Sequence, residues 1–294
     1  DVERSRGLGD VYKRQVADRV HEEGGTLFMQ IMHGGRTSHP DLIDGANPEA
    51  PSAFDWGGTV RGFAGKMDAP VPRELKKEEL PRIVEEFRQG ARRAIDAGVD
   101  GVEIHGANGY LLHEFMAPSA NKREDEFGGS PENRWRLPEM VIRAVVEEIG
   151  ADRVGVRFSP AHNVQGVIED DQEDMLATYG GLLDALAPLN LAYVSLLHGE
   201  PDSELIATLA QKARANGVTK VLMNDGFPTI TSKEDAQREI ELDYVDAAVV
   251  GRQLIANPDL VRRWREGLEL NEPDQDTFYL GGERGYIDYE YAAD

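Results

Sequence analysis

An α/β architecture, with helices packed outside a parallel sheet, follows from three observations on this sequence. Short apolar runs recur along it, segments with a helical period lie between them, and 294 residues suffice for one large domain. A barrel of alternating strands and helices needs roughly 250 residues. Regular alternation of the two element types implies parallel strands covered by helices. The runs that read as buried strands are Leu27–Met32, Gly101–Ile104, Val154–Phe158, Leu191–Leu196, Val221–Met223 and Ala247–Val250. These are six, where a closed barrel of this kind has eight.

In chain order, Asp1–Gln15 (DVERSRGLGDVYKRQ) has no amphipathic period. It is read as non-native or artefactual sequence, and one domain is expected over 16–294. Past the first strand, Gly34–Arg73 is rich in Gly, Pro, Ser and Asp and breaks the rhythm. A long loop or small hairpin excursion over one end of the barrel is expected there, a place from which such segments often cover active sites. In Glu78–Ala97 the residues Leu80, Ile83, Val84, Phe87, Ala91, Ala94 and Ile95 form one apolar helical stripe. Gly98 stands where a left-handed helix terminus favours glycine. Ser130, Pro131 and Glu132 supply a capping hydroxyl, a first-turn proline and an acid near the positive helix end, predicting a helix to about Ile149. Further helices are expected near Met175–Ala187, Ser203–Asn216 and Leu260–Glu266, and Thr231 with Glu234 has the form of a capping box.

Composition narrows the function. The net charge of −22 argues against nucleic acid as a partner, since neutralising phosphates requires clustered Lys and Arg. The absence of cysteine excludes disulfides, thiolate metal sites and cysteine-ligated iron–sulfur clusters. No apolar run approaches the roughly 20 residues of a membrane span, and no secretory leader is visible. A soluble cytoplasmic protein is the expectation.

The most informative stretch is Glu103–Arg134, EIHGANGYLLHEFMAPSANKREDEFGGSPENR. An apolar run from Val99 ends at His105, and Asn108 and Tyr110 follow closely enough to gather at one strand end and the turn after it. Imidazole and carboxamide donate hydrogen bonds, and a phenol can donate or surrender its proton. Two donors beside an acid suit a carbonyl that is polarised and then protonated. Later, Gly226 and Phe227 follow one strand, and Gly251 and Arg252 follow the next. Exposed amides at glycine turns and an arginine fork are suited to phosphate. Gln30 is either a partner for an imide-like ring edge or a satisfied polar residue near a strand end. Arg157, inside an apolar strand, must meet an anion or acceptors, with a structural salt bridge as the plainer reading. A metal at His105, helped by Glu103 or His113, is disfavoured because no HExxH-like pair or acidic cluster accompanies it. The runs Glu169–Asp171 and Glu173–Asp174 read as a solvated loop and a helix start.

At these residues the sequence resembles the Old Yellow Enzyme family of flavin-dependent ene-reductases, in its bacterial N-ethylmaleimide and xenobiotic reductase branch. HGANGYLLHEFMAPSANKREDEFGGSPENR, VGVRFSP, VVGRQLIANPDL and DTFYLGGERGYIDY carry the resemblance in the expected order, and it spans roughly Ala17 to Tyr289. It implies a TIM barrel holding FMN, reduced by NAD(P)H, that passes hydride from flavin N5 to the β-carbon of an α,β-unsaturated carbonyl or nitro compound. His105 and Asn108 would bind the activating oxygen and Tyr110 would protonate the α-carbon. Gln30 would meet the pyrimidine edge of the flavin and Arg157 its N1–C2 carbonyl side, while Gly226, Phe227, Gly251 and Arg252 would hold the phosphate. Met32 and Tyr279 would line the substrate pocket, with Met32 standing where the nearest relatives carry tryptophan, which predicts a roomier pocket. The family's N-terminal part, with its first two strands, lies outside the resemblance, so an incomplete barrel is expected. The alternatives are a flavin- or ligand-binding barrel fragment without turnover and, more distantly, a metal-dependent lyase.

Overall fold

A computed structural model describes residues 13–226, 230–278 and 282–293. Its strands are β1 (Phe28–Ile31), β2 (Glu49–Ala50), β3 (Thr59–Gly62), β4 (Gly65–Asp68), β5 (Arg73–Glu74), β6 (Gly101–Gly106), β7 (Val154–Phe158), β8 (Tyr193–Leu197), β9 (Lys220–Asn224) and β10 (Ala247–Ala248). Six of them form one sheet in the order β1-β6-β7-β8-β9-β10, every pair parallel. These are the six apolar runs, neighbouring in space in the order they occur in the chain. The last is shorter than its Ala247–Val250 run, and β1 and β10 lie at the two ends of the sheet.

Register decides which side chains share a face. Gln30 lies opposite Glu103, His105 opposite Arg157, and Arg157 opposite Ser195. Side chains alternate along a strand, so Glu103 and His105 point the same way. One face of the sheet therefore carries Gln30, Glu103, His105, Arg157 and Ser195. The other carries Val102, Ile104, Val154, Val156, Phe158, Val194 and Leu196, all buried in the main core. Burying each such side chain contributes about 1.5–3 kcal/mol.

Helix Leu80–Asp96 buries Leu80, Ile83, Phe87, Ala91 and Ala94 of the stripe its period predicts, with Val84 and Ile95 half-buried at its edge. It ends at Gly98, whose φ of +92° lets the chain turn into β6. Helix Pro131–Ile149 is capped by Ser130, whose Oγ accepts from the Asn133 amide at 3.4 Å. The two helices pack against each other and are joined outside the core by Arg88 and Arg92, both paired with Glu148. Residues 13–15, set aside with the N-terminal segment, lie in a helix over 13–22, and Arg14 donates to the Asp96 carbonyl at 2.6 Å.

The Gly34–Arg73 excursion is partly ordered as strands. β3 and β4 make an antiparallel hairpin, and β2 pairs with β5 in parallel. Glu49 pairs with Arg73 of β5 and ties the excursion to helix Leu80–Asp96 through Arg82 and to the end of β1 through His33. Hydrogen bonding from His33, with Arg82 and Arg73 outweighing the opposing effect of burial, holds the Glu49 carboxyl down at about 2.

Three local expectations change. The capping box is one residue later than expected: Ser232 Oγ accepts from the Asp235 amide, while Thr231 donates to Asp225. The helix expected at Met175–Ala187 begins at Gln172, capped by Asp171, and passes through a π-turn at Leu176–Gly180. Glu169, expected in a solvated loop, is 6% exposed and accepts the Tyr179 hydroxyl at 2.9 Å. Among the described residues no helix is long and apolar enough to cross a membrane.

Candidate active site

Strand β6 delivers His105 to its C-terminal end, and the chain then turns through Asn108 and Gly109, both left-handed at φ +58° and +77°. That double turn brings the Asn108 carboxamide back to the imidazole, with Nδ2 3.5 Å from His105 Nε2. The contact is at the outer limit of a hydrogen bond, so neither group is committed to the other. His105 Nδ1 and Asn108 Oδ1 are buried without partners among the described residues. Tyr110 follows as the residue before helix Leu111–Met116; its ring centroid is 5.2 Å from that of His105, and its side chain makes no cap bond. The three residues expected together at the strand end are together.

His105 is 3% exposed. Burial, then the positive charge of Arg157, then His113, push its pKa down to about 4. The imidazole is therefore neutral at physiological pH, with one ring nitrogen able to donate. Arg157 reaches Ser195 Oγ at 3.3 Å and has no carboxylate within ion-pair distance among the described residues, so the structural salt bridge is not its explanation. Burial lowers its pKa while Glu103 opposes that shift. A guanidinium so placed favours an anion or carbonyl oxygens in front of it.

In front of it is a cleft of about 560 Å³, lined among others by Asn224, Gly226, Thr231, Gly251, Arg252 and Phe278. Arg157, Gly226, Gly251 and Arg252 thus share one concavity. A Cβ built on Gly251 meets nothing within 4 Å, so its backbone faces open space. Gln30 sits apart from this cleft on β1, exposed, giving one N–H to Glu103 at 2.6 Å and leaving the rest of its amide available. Met32 is 47% exposed just past β1. Phe227 and Tyr279 lie outside the described residues. FMN fits these features: two guanidinium groups and glycine turns suit its phosphate and carbonyl edge, and the cleft has the volume of a ligand site.

Several residues around this site were given no role in it by the sequence, or in the case of His113 only a disfavoured one at a metal. Ser159, Gln165 and His113 each bond the backbone of the Asn108–Gly109 turn. Arg36 is 1% exposed, between the rings of Phe54 and Trp56, and its amide donates to Glu114 Oε1 at 2.8 Å. Complete burial pushes the Glu114 carboxyl up to about 8. The only signal for any of them was position: a serine closing a strand, and a histidine and glutamate inside an apolar run.

Known proteins resemble this chain in sequence and fold. A probable flavin mononucleotide-dependent alkene reductase of Leishmania infantum is 40% identical over 95% of this chain and 76% of its own length. A morphinone reductase variant solved with tetrahydroNAD superposes with a TM-score of 0.87 at 35% identity, over 97% of this chain and 78% of that one. The Old Yellow Enzyme homologue of Zymomonas mobilis superposes at 0.84 with 34% identity, over 94% and 76%. These similarities define an FMN-dependent oxidoreductase built on a TIM barrel. Residues 12–271 match the NADH:flavin oxidoreductase / NADH oxidase family, and the chain belongs to that family.

Proposed function

We propose that this protein reduces the activated C=C bond of α,β-unsaturated carbonyl or nitro compounds, with NAD(P)H as reductant. The observation that carries this reading is the gathering of His105, Asn108 and Tyr110 at one strand end beside the Arg157 cleft. When bound, FMN would supply the two-electron chemistry that couples oxidation of the nicotinamide to reduction of the alkene.

The chain's own residues do the rest. Gly226 and Gly251 offer amides, and Arg252 its charge, to the phosphate. Arg157 would face the ring side where negative charge accumulates on reduction, and Gln30, outside that cleft on β1, would meet the imide edge. His105, neutral, and Asn108 donate to the substrate's carbonyl or nitro oxygen. Their pull strengthens as that oxygen becomes enolate-like, which is where fixed donors lower a barrier. Tyr110 gives its phenolic proton to the α-carbon, completing net addition of H⁻ and H⁺ across the double bond. Met32, exposed beside β1, borders the space for the substrate. The relative named as an alkene reductase supports the same class of substrate.

The test is anaerobic titration of the FMN-loaded protein. The flavin band should bleach with NADPH and return with 2-cyclohexenone but not with cyclohexanone. In the Asn108→Ala variant the enone step should slow about 10²–10³-fold. Bleaching without enone-dependent recovery would reject ene-reduction and leave a flavin-binding chain without this turnover.

A further inference from the structure

The Asn108–Gly109 turn carries two consecutive left-handed residues, and only the second is a glycine. An asparagine enters φ +58° more readily than most L-residues, and here its surroundings hold it in that one conformation. The surroundings are side chains. The Asn108 N–H donates to Ser159 Oγ at 2.8 Å, Gln165 Nε2 donates to the Asn108 carbonyl at 2.7 Å, and the Gly109 N–H donates to His113 Nδ1 at 2.9 Å. Both polar groups of the Asn108 backbone and the amide of Gly109 are thus fixed by groups outside the turn. There is no room to slip: a Cβ on Gly109 would lie 2.8 Å from Gln165 Cβ and from the Val164 carbonyl oxygen.

The clamps are themselves fixed. His113 is 0% exposed and accepts on Nδ1, which places its proton on Nε2, 3.3 Å from Glu169 Oε2 but outside hydrogen-bond geometry. Glu169 is anchored by the Tyr179 hydroxyl at 2.9 Å and the Ala161 amide at 3.1 Å. Ser159 is 0% exposed, and the Gln165 carbonyl accepts from Arg36 at 3.3 Å. Asn108 and Tyr110 flank Gly109, so rotating the peptide planes here swings both the oxygen-binding amide and the proton donor.

We propose that Ser159, Gln165 and His113 are positioning residues that orient Asn108 and Tyr110 over the substrate. This rests on the roles given above to those two residues. A displacement of roughly 1 Å in a reacting group can cost about 10²-fold in rate, so loosening one clamp should slow the enone step by about 10- to 100-fold.

The experiment compares FMN-loaded Ser159→Ala, Gln165→Leu, His113→Leu and His113→Asn with the parent and with Asn108→Ala. Each is reduced anaerobically, then mixed in single turnovers with 2-cyclohexenone or with dioxygen. Dioxygen needs neither the oxygen-binding pair nor the phenol, so its rate reports general damage. The three clamp losses should slow the enone step and leave the dioxygen step unchanged. His113→Asn, whose carboxamide oxygen can accept from the Gly109 N–H, should recover most of what His113→Leu loses. Should His113→Leu fail to fold, Ser159→Ala and Gln165→Leu decide the matter. Parallel loss of both rates, or enone rates equal to the parent's, would overturn the positioning role. An unaffected enone step in Asn108→Ala would instead strike the reading of Asn108 itself. A slow Asn108→Ala beside fast clamp variants would remove only the clamps.

Discussion

His105 has given up most of its affinity for protons, and that loss fixes what it can do. Its pKa is pushed down to about 4 by burial, then by Arg157 and His113. A folded value below the ordinary one of about 6.5 means that the unfolded chain binds the extra proton between those two values. The stability this group contributes is full above about 6.5 and declines as pH falls toward 4. Within the folded enzyme the imidazole stays neutral, so enone-dependent flavin recovery should have no limb near 6.5 between about pH 5 and 8. A histidine-like limb there in the parent, absent from His105→Asn, would contradict a neutral donor. Tyr110→Phe should slow the same recovery about 10²–10⁴-fold, the usual range for a lost general acid. Bleaching by NADPH should be unchanged in that variant, because the phenol has no part in the first half-reaction. Glu114 shifts the other way, to about 8, through complete burial. A raised carboxyl contributes most below about 4.5 and costs stability as pH rises toward 8. Glu114→Gln keeps an oxygen for the Arg36 amide and removes that cost. Its melting temperature should therefore exceed the parent's by a margin that widens from pH 5 to pH 8, and a constant margin would argue against a titrating carboxyl.

At the scale of elements, legibility followed periodicity. Helix Leu80–Asp96 was readable because one stripe of it is apolar and Gly98 closes it. Helix Leu111–Met116 was not, because all six of its residues are buried and a helix buried on every side has no stripe to read. The capping box slipped by one residue because Thr231 and Ser232 both have the right hydroxyl, and only the chain path chooses between them. His105, Asn108 and Tyr110 were legible because they crowd one strand end. Glu169 and His113 were not, because their partners come from other elements. Arg134 belongs with these. It joins helix Pro131–Ile149 to three other places, donating to the Met116 carbonyl at 2.7 Å, to the Gly129 carbonyl at 2.5 Å and to Asp174 at 2.6 Å. At 3% exposure it has no solvent to fall back on. Arg134→Met should cost on the order of 3 kcal/mol in urea unfolding, since it strands buried acceptors and breaks an ion pair. A loss below about 1 kcal/mol would mean water replaces the guanidinium.

For the whole molecule, the sequence conveyed strand order and left the field of the folded protein to be worked out. Six parallel strands in chain order put the ends of β6, β7, β9 and β10 on one side, where His105, Arg157, Gly226 and Gly251 emerge. On the proposed function that side receives anions, a flavin phosphate and a nicotinamide dinucleotide, on a chain of net charge −22. Two length scales compete. Arg157 and Arg252 in the cleft attract over a few ångströms, whereas the summed acidic surface repels at any distance salt does not screen. The Debye length is about 30 Å at 0.01 M and about 8 Å at 0.15 M, so added salt removes the long-range repulsion first. The second-order rate constant for bleaching by NADPH should therefore rise as NaCl is increased across that range. Recovery with 2-cyclohexenone, which is neutral, should be indifferent to salt. A fall in the NADPH rate constant would mean that the cleft arginines dominate the approach and the acidic surface is turned away from it. A salt effect of equal size on the neutral enone would locate it in the protein rather than in the encounter.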